Sequence, residues 1–531
     1  MIATDRGSAL NKKDAGLLLL ALAWLALTIG IRPLALPDEG RYVGVAWEML
    51  TSGNWLYPTL NGLPFFHKPP LFYWITAASL GAFGTHEWAA RLAPLLGAEV
   101  ALLSLYGFAL RQQGRSIARW SLLILVTQPF FFAGAQFANL DMLVAGFISA
   151  TIALGAEAVL NAEKNKPYRG ALAGAYLCAG IGILAKGLIG AVLPGLVIVI
   201  WLAWNRRLTR LRELAWLPGV VLFLLVAAPW FVAMQARFPD FLNYFFVYNH
   251  FQRFAEGGFN NPMPFWFYVP VIILLIFPWS GWLPAAWKQT RMDAQPRPTI
   301  ASLMWIWPVA IVGFFSIPSS KIVGYVLPVL PPLAYLIATA LERRWSHSQG
   351  QRFLKGTAAA AGLICLSAIV AVTIFNKKTD KGLSSVIAAQ RVDHEPVLFV
   401  RNQFFDVPFY LRLKEPVRIF DDWSPSNASK HDNWRKAVAD AGKFDPEKAR
   451  QLLLDATLFE RVVCSHPVSW VIAMKGTQDG YPLLKQIPSI ATHEATSVWR
   501  LSRKELVTKG WCQQMPNDDS VGKLERPRMP G

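Results

Sequence analysis

Long apolar segments recur through the first 375 residues of this chain, and they constrain its fold more than any other feature. A helix needs about 20 consecutive apolar residues to cross the hydrocarbon core of a bilayer. Because 53% of the 531 residues are hydrophobic and only 16% are charged, a single soluble core could not bury them. The sequence therefore predicts a polytopic α-helical membrane protein with about eleven transmembrane helices. The predicted spans lie near 15–35, 88–110, 116–135, 137–160, 170–185, 187–204, 214–236, 264–288, 299–317, 321–341 and 355–375. A shorter apolar stretch at about 71–84 indicates a re-entrant or tilted helix.

The distribution of lysine and arginine residues predicts how the spans are oriented. Basic clusters occupy alternate loops, beginning with Lys12 and Lys13, and the positive-inside rule places these loops in the cytoplasm. An odd number of spans then places everything after residue 376 on the outer side. The net charge of +18 is explained by these loops beside anionic membrane lipids, so no nucleic-acid partner is predicted. The other basic loops contain Arg111–Arg119, Lys164–Arg169, Arg206–Arg212, Lys288–Arg297 and Arg343–Lys355.

The first span lacks a cleavage site of the A-x-A type and leads directly into a polar loop. It is therefore interpreted as a retained signal anchor rather than a removable leader.

The chain becomes more polar after the last predicted span. Pro396–Arg401 and Trp470–Met474 have the composition of strands, and Trp434–Leu454 is a charged helical stretch. Together they predict a small α/β domain on the outer side, followed by a disordered tail rich in Pro, Asp, Lys and Arg. The predicted membrane domain, outer domain and tail are 1–376, 377–514 and 515–531.

The four cysteines divide between these two environments. Cys178 and Cys365 fall inside predicted spans, where a thiol usually packs as a small hydrophobic group. Cys464 and Cys512 lie in the outer domain and could form a disulfide, although nothing in the sequence requires one.

Two polar motifs interrupt the apolar pattern on the outer side of the predicted membrane. Pro37–Tyr42 reads PDEGRY and follows the first span, and Phe66–Pro70 reads FHKPP and precedes the next apolar run. Charged side chains at the mouth of a span are costly unless they bind or react. The two motifs therefore indicate a site that handles a charged head group at the membrane surface. Asp38 could also act as the N-cap of the helix that begins there.

A further acid, Asp141, lies within the first turns of a predicted span. An ionised carboxylate at that depth needs a partner. It either belongs to the same site or forms a structural ion pair with an arginine such as Arg41. Lys186 lies in a turn on the same side of the membrane.

Two more polar clusters occur on the outer side. Phe245–Phe254 is aromatic at helical spacing, and it carries His250 and Arg253 on one side of the predicted helix. Ser319–Tyr325 opens a span with Lys321, whose ammonium could simply reach the membrane interface. The aromatic residues could equally pack in the interface without a role in a site.

The order and local spacing of these motifs resemble those of the bacterial lipid A 4-amino-4-deoxy-L-arabinose transferases. These enzymes belong to the protein-mannosyltransferase-like superfamily of polyprenyl-phosphate-dependent glycosyltransferases, the GT-C class. The resemblance covers about residues 15–345. It implies a GT-C fold and a bacterial inner-membrane enzyme with its active site at the periplasmic face. The implied reaction moves an aminoarabinose or a hexosamine from undecaprenyl phosphate to a lipid A phosphate. The alternative acceptor is a protein hydroxyl or another envelope glycan.

The same resemblance assigns roles to particular residues. Asp38 and Asp141 match the catalytic-site acids, and Glu39 and Arg41 accompany Asp38. Fixed cations would stabilise the negative charge that develops on a departing phosphate, so a strong general acid is not needed. The residues that match the phosphate-binding groups are Lys68, Arg253 and Tyr325. The other residues expected to line the cavity are Tyr42, Lys186 and Lys321.

A metal site is also implied by the resemblance. His250 matches a metal-binding histidine, whereas His67 stands where the family usually has Glu. One divalent ion is therefore expected, with zinc favoured because two neutral imidazoles suit it. His67 could instead hydrogen-bond a backbone carbonyl while His250 faces the interface. No nucleotide cofactor is implied.

A transporter would also be polytopic and carry buried charges. Its polar groups and helix breaks should concentrate near the middle of the membrane. In this chain the polar residues gather at one face, in loops and at the ends of spans. The sequence therefore favours an enzyme over a transporter.

Overall fold

The computed structural model describes residues 11–252, 262–292, 299–344, 348–375, 378–428 and 433–513. Within them, the membrane part is built from α-helices. The α-helices of this part are Lys12–Ala26, Asp38–Ser52, Leu71–Phe83, Glu87–Ala90, Leu92–Gln113, Arg115–Val126, Pro129–Ala135, Leu140–Glu163, Arg169–Lys186, Ile189–Trp204, Leu211–Leu214, Leu217–Arg237, Tyr268–Leu275, Leu283–Met292, Thr299–Ser316, Leu330–Arg344 and Ser348–Phe375. Short 3-10 helices occupy Leu208–Arg210, Trp279–Trp282 and Val323–Val329, and Asn243–Gln252 is a π-helix.

Five of the described helices are long and apolar enough to cross a membrane, and the number rises to seven if each of two bent pairs forms one span. These five are Leu92–Gln113, Leu140–Glu163, Leu217–Arg237, Val323–Glu342 and Arg352–Phe375. The polytopic helical fold is confirmed, while the total of eleven spans stays a prediction because several other apolar helices are shorter.

Two predicted spans are not straight. The predicted span 264–288 is wrong as a single helix, because the chain bends by 106° between Tyr268–Leu275 and Trp279–Thr290. The predicted span 116–135 bends by 70°. Pro129 and Pro278 lie at these breaks, and proline can neither donate the helical hydrogen bond nor avoid the preceding turn.

Two long helices of the bundle pack closely against each other near Asp141. A Cβ on Gly146 would lie 2.1 Å from the carbonyl oxygen of Gly97, so the two backbones meet directly. Gly146 belongs to Leu140–Glu163, whose N-cap Asn139 accepts a hydrogen bond from the Asp141 N–H at 3.0 Å. Asp141 therefore lies in the first turn of a firmly packed helix.

The C-terminal part contains a six-stranded sheet and short helices, which confirms the predicted α/β composition. The strands are β3 (Val397–Val400), β4 (Arg418–Phe420), β5 (Leu453–Leu454), β6 (Val468–Met474), β7 (Ala491–His493) and β8 (Thr496–Ser502), in the order β5-β4-β3-β6-β8-β7. The pairs β5–β4, β4–β3 and β3–β6 are parallel, and β6–β8 and β8–β7 are antiparallel. Two further short strands, β1 (Thr59–Leu60) and β2 (Leu63–Pro64), form a separate antiparallel hairpin.

Both strands predicted in this domain are present, as β3 and β6. The predicted helical stretch Trp434–Leu454 is divided into two helices and β5. The helices of the domain are Lys381–Gln390, Val407–Tyr410, Pro425–Ala428, Trp434–Gly442, Pro446–Leu452, Phe459–Cys464, Pro482–Gln486 and Arg503–Thr508, with 3-10 turns at Ala456–Leu458 and Thr477–Gly480.

A disulfide joins Cys464 and Cys512 in this domain. The division at residue 376 stays a prediction, and the predicted tail 515–531 lies outside the described residues.

The C-terminal domain packs directly on the Asp38–Ser52 helix. The indole N–H of Trp47 donates to the Leu413 carbonyl at 2.7 Å, and the Leu34 N–H donates to the Tyr410 hydroxyl at 2.8 Å. The first polar motif of the sequence therefore lies between the membrane helices and this domain.

Candidate active site

Asp38 is the first residue of its helix and carries an accessible carboxylate. Its side chain is 45% exposed, and the Arg41 guanidinium donates to it at 2.7 Å. The residue at the N-cap position is Pro37, and no side chain caps this helix end. Asp38 therefore does not act as the N-cap, and its carboxylate can contact a bound molecule together with Arg41.

Arg41 is also held by aromatic rings. Its guanidinium lies 5.0 Å from the centre of the Tyr42 ring, and Tyr42 packs 6.4 Å from Tyr73. A cation over the face of an aromatic ring is stabilised by the ring quadrupole. The predicted cavity residue Tyr42 thus supports the Asp38–Arg41 pair.

Asp141 is buried and pairs with the ammonium group of Lys186. The Asn139 amide also donates to this carboxylate at 3.1 Å. The expected structural partner, an arginine such as Arg41, is wrong, because Arg41 pairs with Asp38. The contact joins the first turn of Leu140–Glu163 to the last turn of Arg169–Lys186, the next helix along the chain.

Tyr325 lies beside this ion pair. The Lys186 ammonium is 4.5 Å from the centre of the Tyr325 ring. A Cβ on Gly324 would lie 2.2 Å from the Asp141 carboxylate, so glycine allows the Tyr325 segment to approach closely. The structure therefore brings three predicted residues together, from three separate helical segments.

Lys68 and Asp38 complete this group. Both lie within electrostatic reach of the Lys186 ammonium, which Lys68 repels and Asp38 attracts. Two lysines thus lie near two carboxylates at one end of the bundle. Such an arrangement can bind a phosphate group, since a cation compensates its charge and a charge-assisted hydrogen bond is stronger than a neutral one.

Glu39 occupies a different environment from that of its neighbour Asp38. It is fully buried and accepts hydrogen bonds from Arg32 and Arg91, with distances of 3.0 Å to Arg32 Nη2 and 2.9 Å to Arg91 Nε. The N–H groups of Ala35 and Ala138 also donate to it. Burial would raise the pKa of Glu39, but the two guanidinium groups outweigh that effect and lower the pKa to about 2.

The predicted catalytic role of Glu39 has no geometric support. Its carboxylate has no exposed surface and all of its acceptor sites face protein donors. We interpret it as a residue that fixes Asp38 relative to the segment before Asp141. Arg32 and Arg91 were not identified from the sequence, although both are charged residues within predicted apolar spans, which is itself a signal.

Lys321 makes hydrogen bonds to two backbone carbonyls. It is buried and donates to the carbonyls of Met263 at 3.0 Å and Pro318 at 2.5 Å. These contacts join two loops, and the cavity role of Lys321 stays a prediction.

The predicted metal ligands are only partly described. The His67 ring packs 4.4 Å from Phe65 and 6.3 Å from Tyr244. The side chain of His250 and all of Arg253 lie outside the described residues. Among the residues that the structure describes, no group of three or more His, Cys, Asp or Glu side chains could hold a metal ion. The two-histidine site therefore stays a prediction, and no step of the chemistry is assigned to a metal.

A helical membrane bundle with a polar site at one end, and an α/β domain packed on the helix that carries Asp38, make up a fold of the GT-C class. A crystal structure of ArnT from Cupriavidus metallidurans bound to undecaprenyl phosphate superimposes with a TM-score of 0.79. It is 24% identical, and the match covers 93% of this chain and 98% of that one. This likeness confirms the fold predicted from the sequence.

Comparisons of sequence identify the family. The family described as dolichyl-phosphate-mannose-protein mannosyltransferase matches residues 67–232. An undecaprenyl phosphate-α-4-amino-4-deoxy-L-arabinose arabinosyl transferase 2 from Pseudomonas fluorescens is 31% identical over 71% of this chain and 69% of its own length. The chain therefore belongs to this arabinosyl transferase family. The corresponding transferase of Pseudomonas savastanoi is 33% identical, and the match spans 64% of this chain and 63% of that relative.

Proposed function

We propose that this protein transfers an amino sugar, 4-amino-4-deoxy-L-arabinose or a hexosamine, from undecaprenyl phosphate to a phosphate of lipid A. The observation that carries the proposal is the grouping of Asp38, Lys68, Asp141, Lys186 and Tyr325 at one end of the membrane bundle. Membership of the arabinosyl transferase family supports the choice of donor and sugar. A phosphate as the acceptor is supported by the Arg41 guanidinium beside Asp38, which could bind a second phosphate group.

In the proposed reaction an oxygen of the lipid A phosphate attacks the anomeric carbon of the sugar. The bond between that carbon and the undecaprenyl phosphate oxygen breaks, and its electron pair leaves with the phosphate. Lys68, close to Lys186, would stabilise this developing charge. Because the leaving group is a phosphate, the step needs no proton from a strong acid.

Arg41 would bind the acceptor, and Asp38 would orient Arg41. A lipid A phosphate is already ionised at neutral pH and therefore needs no general base. The Arg41 guanidinium can bind two phosphate oxygens at once, and Asp38 orients it through the 2.7 Å contact. If the acceptor were a hydroxyl, Asp38 would have to take its proton.

Asp141 would hold the Lys186 ammonium in place within the site. Its pairing fixes the Lys186 ammonium over the Tyr325 ring, and the Tyr325 hydroxyl offers one neutral donor to the phosphate. A divalent ion between His67 and His250 belongs to this proposal only as a prediction that elemental analysis of the purified protein would test.

The orientation in the membrane is also a proposal. The alternating basic loops support a cytoplasmic N-terminus and a periplasmic C-terminal domain in the bacterial inner membrane. The Cys464–Cys512 disulfide is consistent with an oxidising compartment for that domain.

Mass spectrometry of lipid A from cells with and without the gene tests the proposal. We expect a species heavier by one pentosamine or hexosamine, which depends on the gene and disappears when Asp38→Asn replaces the wild type. Unmodified lipid A in cells that contain the folded protein would contradict the proposed acceptor. A new sugar found instead on another envelope glycan or on a protein would identify that molecule as the acceptor.

A further inference from the structure

We infer that Glu48 and Asn61 are positioning residues for the donor-phosphate site, and that they do so by joining the Lys68 loop to the C-terminal domain. The inference rests on the proposed function, in which Lys68 binds the donor phosphate, because Glu48 and Asn61 would act through the position of Lys68. The C-terminal domain would then help to position Lys68 in the donor-phosphate site.

The connection between the Lys68 loop and the C-terminal domain, here called the joint, begins at a tight turn between β1 and β2, Asn61-Gly62. Its two central residues, Asn61 and Gly62, have φ values of 52° and 74°. A two-residue hairpin with both central residues in the left-handed region favours the sequence Asn-Gly. A Cβ on Gly62 would also lie 2.4 Å from a side-chain carbon of Pro416, so this turn fits closely against the C-terminal domain.

Glu48 holds the turn from the side of the Asp38–Ser52 helix. Its carboxylate accepts hydrogen bonds from the Asn61 N–H at 2.6 Å, the Gly62 N–H at 2.8 Å and the Thr59 hydroxyl at 2.7 Å. Successive N–H groups of a turn form a concave binding site for an anionic group. The helix that carries Asp38 therefore also fixes the hairpin that leads to Lys68.

Asn61 holds the turn from the side of the C-terminal domain. Its amide donates to the Val417 carbonyl at 2.7 Å, and its side-chain oxygen accepts from the Val417 N–H at 2.8 Å. The side chain is 2% exposed. Because buried hydrogen bonds are costly to leave unmade, this pair holds the turn strongly to the strand region beside β4.

Aromatic packing continues the joint towards the lysine. Phe66 is fully buried, and its ring lies 4.6 Å from that of Phe444 and 4.7 Å from that of Phe238. The next residues are His67 and Lys68. The Lys68 ammonium can reach only the phosphate oxygens that lie within the length of its side chain, so the position of the Lys68 backbone limits which oxygens it contacts. The joint therefore sets that position, while the acids are held by other contacts.

The Asn61→Gly variant isolates this function. Glycine keeps the left-handed conformation of the turn but removes both hydrogen bonds to Val417. The matched control is Asn165→Gly, because Asn165 is an exposed asparagine with a φ of 54° in a different loop. The affinity of the purified full-length protein for undecaprenyl phosphate is measured first, followed by kcat and KM for the sugar donor.

We expect Asn61→Gly to weaken binding of undecaprenyl phosphate by roughly tenfold at most, because the loss of both hydrogen bonds to Val417 would leave Lys68 in its binding position for only a fraction of the time. KM for the donor should rise by a similar factor, while kcat stays within about twofold, because the acids remain in place. Glu48→Gln should shift the same two quantities in the same direction, since its amide cannot accept all three donors equally well. The Asn165→Gly protein should match the wild type.

Unchanged carrier affinity in a folded Asn61→Gly protein would overturn the inference and leave the proposed function intact. Equal losses of kcat and of melting temperature, with KM constant, would also overturn it, because they indicate a purely structural role. If the wild-type protein itself has no measurable affinity for undecaprenyl phosphate, the proposed function fails, and this inference fails with it.

Discussion

Replacing Glu39 with Gln should destabilise the whole protein rather than only slow its reaction. The substitution keeps the shape of the side chain but leaves the guanidinium groups of Arg32 and Arg91 buried without a counter-charge. Removing one member of a buried ion pair typically costs about 3–5 kcal/mol. The depressed pKa of Glu39 leads to a similar free energy.

The pKa of Glu39 gives the free energy that its two ion pairs contribute to stability. The two arginines lower this pKa from an ordinary value of 4.5 to about 2. One pKa step is worth about 1.4 kcal/mol, so the ionised carboxylate contributes about 3 kcal/mol of stability at neutral pH. Because the folded-state pKa is depressed, this contribution is present above pH 4.5 and is lost as the pH falls towards 2.

The assay is the apparent melting temperature of the purified protein in detergent. We expect Glu39→Gln to lower it by roughly 5 °C at pH 7. The matched control is Glu505→Gln, because Glu505 pairs with Lys509 on the surface with both side chains more than a third exposed. Such a pair contributes about 1 kcal/mol or less. A melting temperature for Glu39→Gln that is no lower than that of the control would refute the reasoning.

Three further outcomes are expected. The pKa of Asp406 is raised from an ordinary 3.8 to about 8 by burial and by the nearby Asp380. Stability should therefore be full below about pH 4, decline as the pH rises from there to 8, and level off above 8; Asp406→Asn should flatten this decline in melting temperature between about pH 4 and 8. Lys68→Ala should weaken the affinity for undecaprenyl phosphate more than Tyr325→Phe does, because it removes a charge-assisted contact; equal affinities would contradict the phosphate assignment. Cys464→Ser opens a disulfide with a sequence separation of 48 residues and should cost about 2–5 kcal/mol of stability, measured as a lower melting temperature that reducing agent reproduces in the wild type.

Local motifs predicted several features of the site because the chemistry of each lies within a few residues. Asp38 and Lys68 belong to short polar segments beside apolar runs, and such segments stand out in any hydropathy pattern. Asp141 stands out for the same reason, as a carboxylate inside a span. The structure places these residues near one another, and their membership of one functional site stays a prediction.

Long-range contacts could not be predicted in this way. The partner of Asp141 is Lys186, and the contact depends on how Leu140–Glu163 packs against the following helix, Arg169–Lys186. Glu39 was grouped with Asp38 because the two are adjacent, yet successive residues of a helix point about 100° apart, so one is exposed and the other enclosed.

The breaks in two helices were missed for a different reason. A hydropathy window sums over about 20 residues and does not register a change of direction within it. Pro129 and Pro278 were the available signals, because proline ends or bends a helix. Glu48 was missed because a single glutamate in an amphipathic helix usually lies on the solvated face.

Reconstitution of the purified protein tests the central claim most directly. Proteoliposomes would contain wild-type protein, a sugar linked to undecaprenyl phosphate and lipid A, and sugar transfer would be followed by mass spectrometry. We predict transfer by the wild type and a loss of about a hundredfold in rate in both Asp38→Asn and Asp141→Asn, which corresponds to about 3 kcal/mol in the barrier. Near wild-type rates in either folded variant, or no transfer by the wild type, would contradict the account.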